Sequence, residues 1–243
     1  MKNKIQSISH KFLNQTNGEE HEMIIAGAIG ESGWFYTATS AKDVRNALQD
    51  VTASTVRIKL NSGGGDADQG IEIYNYLKDL DKYVIVEVTS LAGSAASIIA
   101  MGADETIMRT GSRMMIHEAA TFAYGTKQDI KKTLNALESY DESIISIYQE
   151  KTGKTRNEIA KLIENETWLT AEEAVKEGFA DKVESEKQED PQEGITDAQL
   201  QQIINTVTNN LKQSNNNQSN NNQSNEPEPP PVVTQVKRKG FIF

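Results

Sequence analysis

Between residues 23 and 183, short continuous apolar runs alternate with segments whose apolar residues recur every three or four positions. Residues 23–29 (MIIAGAI) have the length and composition of a buried strand. Residues 40–51 have a helical period, and Ser40 with Asp43 three residues later forms the capping pair that starts a helix. The alternation then repeats. Residues 55–60 (TVRIKL) predict a strand running into the turn Asn61–Ser62–Gly63–Gly64–Gly65, followed by a helix carrying Ile71, Ile73, Tyr74 and Leu77. Residues 83–88 (YVIVEV) predict a second buried strand, Gly93 a turn, and residues 94–101 a small-residue helix entering the core. Strand, turn and helix in this succession imply parallel strands joined by right-handed crossovers, an α/β fold.

Residues 105–108 and 113–116 predict further strands, and residues 122–124 an edge strand before the chain turns at Gly125. Thr126 and Asp129 open a long helix with Ile130, Leu134, Leu137, Ile144 and Tyr148 on one face, which Thr152 and Gly153 end. A stripe of that length packs on a domain or on a partner subunit. Thr155 with Glu158, and Thr170 with Glu173, mark the starts of two shorter helices, and the folded body closes over residues 178–183. The pattern divides the chain into a flexible polar segment at 1–22, one folded domain at 23–184, and a low-complexity, disordered tail at 185–243. Within the tail, Leu200, Ile203, Ile204, Val207 and Leu211 outline an amphipathic helix at 196–212. Beyond it lie a Gln/Asn/Ser tract, a Pro-rich spacer and a basic, then apolar, C-terminal end.

Composition narrows the function. A net charge of −10 lacks the concentrated basic surface that binding a polyanion requires, so no nucleic-acid partner is expected. The chain has no cysteine, which removes disulfides, thiolate nucleophiles and cysteine metal sites. No apolar run approaches the roughly 20 residues of a membrane span, and the N-terminus lacks the apolar run of a signal peptide. A cytoplasmic location without membrane partners is the expectation.

Of the three histidines, His10 and His21 lie in the polar N-terminal segment, which isolates His117 at the end of the apolar run Met114–Met115–Ile116. Imidazole accepts and returns a proton near neutrality. Ser97 lies in Gly93–Ser94–Ala95–Ala96–Ser97–Ile98, where a strand ends, a glycine turns the chain and a helix begins amid small side chains. Such a position exposes a hydroxyl and offers the amide that follows it to a developing oxyanion. Ser94 and Ser90 are neighbouring alternatives. The run Gly63–Gly64–Gly65 permits backbone torsions that aim an amide at a substrate carbonyl. It lacks the Lys–Ser/Thr ending of a phosphate-binding loop and the spacing of a dinucleotide fingerprint.

Four motifs occur in one order and spacing: Asn61–Ser62–Gly63–Gly64–Gly65, Gly93–Ser94–Ala95–Ala96–Ser97, Arg113–Met114–Met115–Ile116–His117, and Trp168–Leu169–Thr170–Ala171–Glu172–Glu173–Ala174–Val175. Together they resemble the Clp protease proteolytic subunit, over residues 23 to 183. The resemblance implies a ClpP/crotonase-like fold of repeated β-β-α units with a protruding long helix, and a serine endopeptidase that needs neither cofactor nor metal. Carried across, it makes Ser97 the nucleophile, His117 the general base, and the amides of Gly65 and Ile98 the oxyanion hole. The family's third catalytic member is an aspartate, and the matching position is Glu166. Gly63 stands where the family usually has proline. The family's N-terminal pore loops are not recognisable, which counts against an unfoldase ATPase partner.

The phrases Ile99–Ala100–Met101–Gly102–Ala103–Asp104, Glu166–Thr167–Trp168 and Gly178–Phe179–Ala180–Asp181, with the long polar tail, resemble the ClpP-like head maturation proteases of tailed phages. That resemblance implies a homo-oligomer of stacked rings in the host cytoplasm or procapsid, cleaving capsid or scaffold proteins. Three other readings compete. A crotonase-type acyl-CoA enzyme would want pocket carboxylates rather than a Ser–His pair. A Ser–Lys signal-peptide-peptidase-like enzyme would want a membrane segment and leave His117 idle. A catalytically idle scaffold would use the ClpP-like body only to oligomerise.

Overall fold

The computed structural model describes residues 8–184. The amphipathic segment 196–212 and the C-terminal end fall outside them. The N-terminal segment, expected to be flexible, instead forms a hairpin in which β1 (Lys11–Asn17) pairs antiparallel with β2 (Glu20–Ile29). The signal for it is Asn17–Gly18, a short turn sequence with Gly18 at φ 63°. A mostly exposed edge strand needs no apolar alternation, because its backbone bonds and polar side chains are enough. The hairpin also buries His21, whose Nδ1 lies 2.7 Å from Thr16 Oγ1 and whose pKa burial pushes below the ordinary imidazole value.

After β3 (Ala38–Thr39), which extends the end of β2, Ser40 caps α1 (Ala41–Leu48) with the predicted capping box. β4 (Thr55–Gly65) and β5 (Tyr83–Gly93) flank α2 (Ala67–Lys78), and α3 (Ala95–Met101) leads to β6 (Glu105–Arg109) and β7 (Arg113–Ile116). The triple glycine is therefore the extended end of a strand rather than a turn. Gly64 and Gly65 pair with Ala28 and Ile29 of β2, after a register shift between Ala26 and Ala28. The long helix α4 (Lys127–Thr152) has the predicted Thr126–Asp129 capping box and ends in left-handed Gly153. α5 (Arg156–Glu164), β8 (Thr167–Thr170), α6 (Ala171–Lys176) and β9 (Lys182–Glu184) close the body, with both predicted capping boxes present. Residues 122–124 do not form the expected edge strand. Phe122 and Tyr124 are exposed and paired to nothing described.

The described strands make one nine-stranded sheet with the main path β1-β2-β4-β5-β6-β9, β3 beside the end of β2, and β7 then β8 beside the second half of β5; only the β1–β2 and β7–β8 pairings are antiparallel. The first half of β5 pairs with β6 and its second half with β7, so the sheet splits where β5 approaches Gly93. One face buries Met23, Ile25, Val56, Ile58, Leu60, Val84, Val86 and Val88 in the hydrophobic core shared with α2 and α3. This is the largest favourable contribution to folding, at about 25 cal/mol per Å² of apolar surface removed from water. The alternate residues of the same strands carry cross-strand ion pairs, Arg57–Glu20 at 3.0 Å, Lys59–Glu22 at 2.7 Å and Arg109–Glu87 at 2.6 Å. The period of two that makes one face apolar thus makes the other ionic.

Candidate active site

The candidate chemistry gathers where the split in the sheet leaves room, at the C-terminal ends of β4, β5 and β7. Ser94 is the joint between β5 and α3, held at φ 52° and ψ −124°. Among the described residues only Ser94 and Glu166, at φ 47°, are non-glycine residues with positive φ. Each such conformation costs on the order of 1–3 kcal/mol and persists only where the surroundings impose it. At Ser94 the imposing contact is its amide, which donates to the Met115 carbonyl at 2.8 Å. That bond ties the joint to β7 two residues before His117.

His117 Nε2 lies 2.8 Å from Ser94 Oγ. The sequence expectation paired His117 with Ser97, whereas the hydrogen bond of this imidazole goes to Ser94. Ser97 sits one helical turn inside α3, wholly buried, with its Oγ donating to the Ser94 carbonyl at 2.6 Å and lying 2.8 Å from the Tyr148 hydroxyl. A side chain three residues into a helix points back over the preceding turn, so the Ser97 hydroxyl is directed at the Ser94 backbone and away from β7. The proposed oxyanion amide moves with it. The N–H of Ile98 already donates to the Ser94 carbonyl, at 3.4 Å, whereas that of Ala95 opens α3 and has no intrahelical partner.

Gly65 lies on the cleft, as expected. A Cβ on Gly64 would stand 2.6 Å from the Gly93 oxygen, 2.7 Å from Ser94 Cβ and 2.9 Å from the Ala95 nitrogen, and one on Gly65 would stand 2.0 Å from the Ile29 oxygen. Only glycine allows β4 to run this close behind the Ser94 joint, which explains why a glycine run was needed there. Ser62 Oγ steadies the run by accepting the Gly64 amide at 3.0 Å.

Glu166 is brought to the site by β7 and β8, which pair antiparallel with Ile116 opposite Thr167. Glu166 directly precedes β8, and His117 directly follows β7. Its carboxylate accepts from Trp168 Nε1 at 3.2 Å, and among the described residues no hydrogen bond joins it to His117. The Arg113 guanidinium lies 5.8 Å from the centroid of the same indole, fixing the ring.

In front of Ser94 and His117 opens a cleft of about 620 Å³. Its apolar wall is Ile98, Leu137, Ile144 and Tyr148, and its rim carries Asp66, Asp68, Glu118 and Lys132. A hydroxyl on an imidazole, beside backbone amides and an apolar cleft, is an arrangement suited to acyl transfer. Among the described residues no three His, Asp or Glu side chains cluster as a metal site would require, and no helix is long and apolar enough to cross a membrane. Sequence reasoning held Ser94 only as an alternative to Ser97 and did not foresee the contact of Tyr148 with Ser97. The available signal was that Ser94 directly follows the turn glycine, while Ser97 lies within a uniformly buried run.

A family model described as Clp protease matches residues 37–187. The ATP-dependent Clp protease proteolytic subunit 2 of Treponema denticola is 28% identical over 191 residues, covering 76% of this chain and 90% of the relative. The proteolytic subunit 1 of Protochlamydia amoebophila is 34% identical over 128 residues, covering 51% of this chain and 62% of the relative. Among solved structures, a ClpP1 mutant from Listeria monocytogenes superposes with a TM-score of 0.55 at 24% identity, covering 60% of this chain and 85% of that one, a likeness of fold.

Proposed function

The chain belongs to the Clp protease family, whose members are serine peptidases that form oligomeric rings, and from that premise we propose that Ser94 is its nucleophile and His117 its general base. The observation that carries this reading is the 2.8 Å contact between His117 Nε2 and Ser94 Oγ at a strained strand–helix joint. Nε2 takes the hydroxyl proton as Ser94 Oγ attacks the scissile carbonyl, and the tetrahedral oxyanion is met by the N–H groups of Gly65 and Ala95. The imidazolium returns its proton to the leaving amine, and water cleaves the acyl-enzyme by the same steps in reverse order. Glu166 orients the imidazole by turning its carboxylate from Trp168 to Nδ1 of His117. A fluorophosphonate should label the protein once per chain, with the adduct on the peptide containing Ser94. An unreactive protein would favour the idle scaffold, and an adduct on Ser97 would return the nucleophile to the helix.

The finer task we assign is cleavage of capsid or scaffold proteins, as in phage head maturation, by a peptidase body that carries a low-complexity tail from residue 185 and works in the host cytoplasm or procapsid. It rests on the sequence phrases quoted above. The names of the relatives include "ATP-dependent", a property of those proteins, and the proposal does not extend to an unfoldase partner.

Assembly is the companion proposal. The first turns of α4 carry Ile130 at 42% and Leu134 at 54% exposure, beside Phe122 and Tyr124, each at 92%. Apolar side chains at helical spacing with no cover among the described residues fit a second subunit, and two stacked rings would cover them. Leu134→Glu should convert the double ring into single rings in sedimentation velocity while the circular dichroism stays native. An unchanged sedimentation coefficient would remove α4 from the interface.

A further inference from the structure

Once Ser97 is displaced from His117, a fully buried serine and a fully buried tyrosine are left over in contact with one another. Ser97 has one hydroxyl proton, and it is directed at the Ser94 carbonyl 2.6 Å away. The 2.8 Å contact with Tyr148 must then be donated by the phenol. Burial pushes the Tyr148 pKa well above its ordinary value, so the phenol keeps the proton it donates. The result is a chain, Tyr148 O–H to Ser97 O–H to the Ser94 carbonyl, which also accepts the amides of Ser97 at 2.9 Å and Ile98 at 3.4 Å. Successive bonds of this kind polarise one another.

The carbonyl held this way belongs to the peptide unit whose nitrogen is that of Ala95. The unit is trans, since the described chain has no cis peptide, and in a trans peptide C=O and N–H point in opposite directions. Pinning the oxygen into the protein therefore aims the Ala95 N–H out toward the cleft. The geometry points to Ser97 and Tyr148 as positioning residues that lock the Ser94–Ala95 peptide with its N–H facing the oxyanion. The unit needs a lock because Ser94 sits at a positive φ that its side chain disfavours. Rotation of the plane about its flanking torsions would relieve that strain and turn the donor away. This inference rests on the reading of Ser94 as nucleophile.

The test is steady-state kinetics on a peptide substrate, with inhibition by a peptide boronate that mimics the tetrahedral intermediate. Deleting one oxyanion donor outright costs about 10²–10³-fold in kcat, so misaiming it through Tyr148→Phe or Ser97→Ala should cost about 10–10²-fold. KM should stay within about twofold, because ground-state binding does not use the donor. Boronate affinity should fall in parallel with kcat. Because Tyr148 acts only through Ser97, the double variant should be no slower than Ser97→Ala alone. Wild-type kcat in folded Tyr148→Phe, multiplicative losses in the double variant, or a loss confined to KM would each overturn the inference. If Ser97→Ala does not fold, Tyr148→Phe decides, since it keeps the ring that stacks edge-on to Phe179 at 5.5 Å. The parent reading fails separately: hydrolysis surviving in Ser94→Ala would dismiss it whatever Tyr148→Phe does.

Discussion

Ser94→Ala should lower peptide hydrolysis by at least ~10³-fold, and His117→Ala by a similar factor, because a nucleophile and its base fail as a unit. Ser97→Ala should lose only about 10–10²-fold, one donor's aim rather than the attacking atom. Those two outcomes invert the order that the sequence motif suggests. The loss at Ser94 is separable from misfolding. Alanine keeps the Cβ that already tolerates φ 52°, and the amide that bonds the Met115 carbonyl is untouched by a change of side chain. Thermal midpoints of wild type and Ser94→Ala should therefore agree within a few degrees while turnover collapses. Retained turnover in a folded Ser94→Ala would require another nucleophile. Ser97 is a poor substitute in physical terms, since its hydroxyl has no exposed surface and its proton is already committed to a carbonyl.

The second large effect is expected at Glu166. Glu166→Gln should preserve the fold and cut turnover by about 10²–10⁴-fold, the range found when a carboxylate that orients a catalytic histidine becomes an amide. Glu166→Asp should retain more activity than Glu166→Gln, since it keeps the charge that stabilises an imidazolium. Two features support the assignment: the β7–β8 pairing, whose last pair, Ile116 with Thr167, directly adjoins His117 and Glu166, and a positive φ at Glu166 that nothing in strand pairing alone demands. The carboxylate's bond to Trp168 Nε1 at 3.2 Å supplies the internal control. If Glu166 matters because it orients His117, Trp168→Phe frees the carboxylate and should leave kcat close to wild type. If instead its role is to anchor the indole, Trp168→Phe and Glu166→Gln would lose equally, and the assignment to His117 would be withdrawn. Activity should be measured with the oligomer intact, because Trp168 is partly exposed in the single chain.

The chain's local chemistry was readable wherever it depends on neighbours a few residues apart. The boxes at Ser40–Asp43, Thr126–Asp129, Thr155–Glu158 and Thr170–Glu173 all form, because each needs only residues three positions apart at a helix start. The buried strands are where the apolar runs put them, since a strand covered by helices must be continuously or alternately apolar. The isolation of His117 and the glycine run that packs behind the Ser94 joint were also legible, as was the Clp-like order of motifs. What local spacing does not contain is the outcome of long-range contacts. Ser94 and Ser97 are three residues apart on a strand–helix junction, and either spacing suits a nucleophile. The amide of Ser94 meeting Met115, which β7 delivers from outside the motif, turns one hydroxyl toward His117 and leaves the other to Tyr148 from α4. The β1–β2 hairpin was hidden in polar residues because an edge strand is held by backbone bonds, which every sequence possesses. The sequence by itself determined the helices and the buried strands, and it narrowed the candidate chemistry to His117 and the serines beside Gly93. Only the tertiary structure decided which of two equivalent serines faces the base, because that choice is made by backbone torsions imposed from a neighbouring strand.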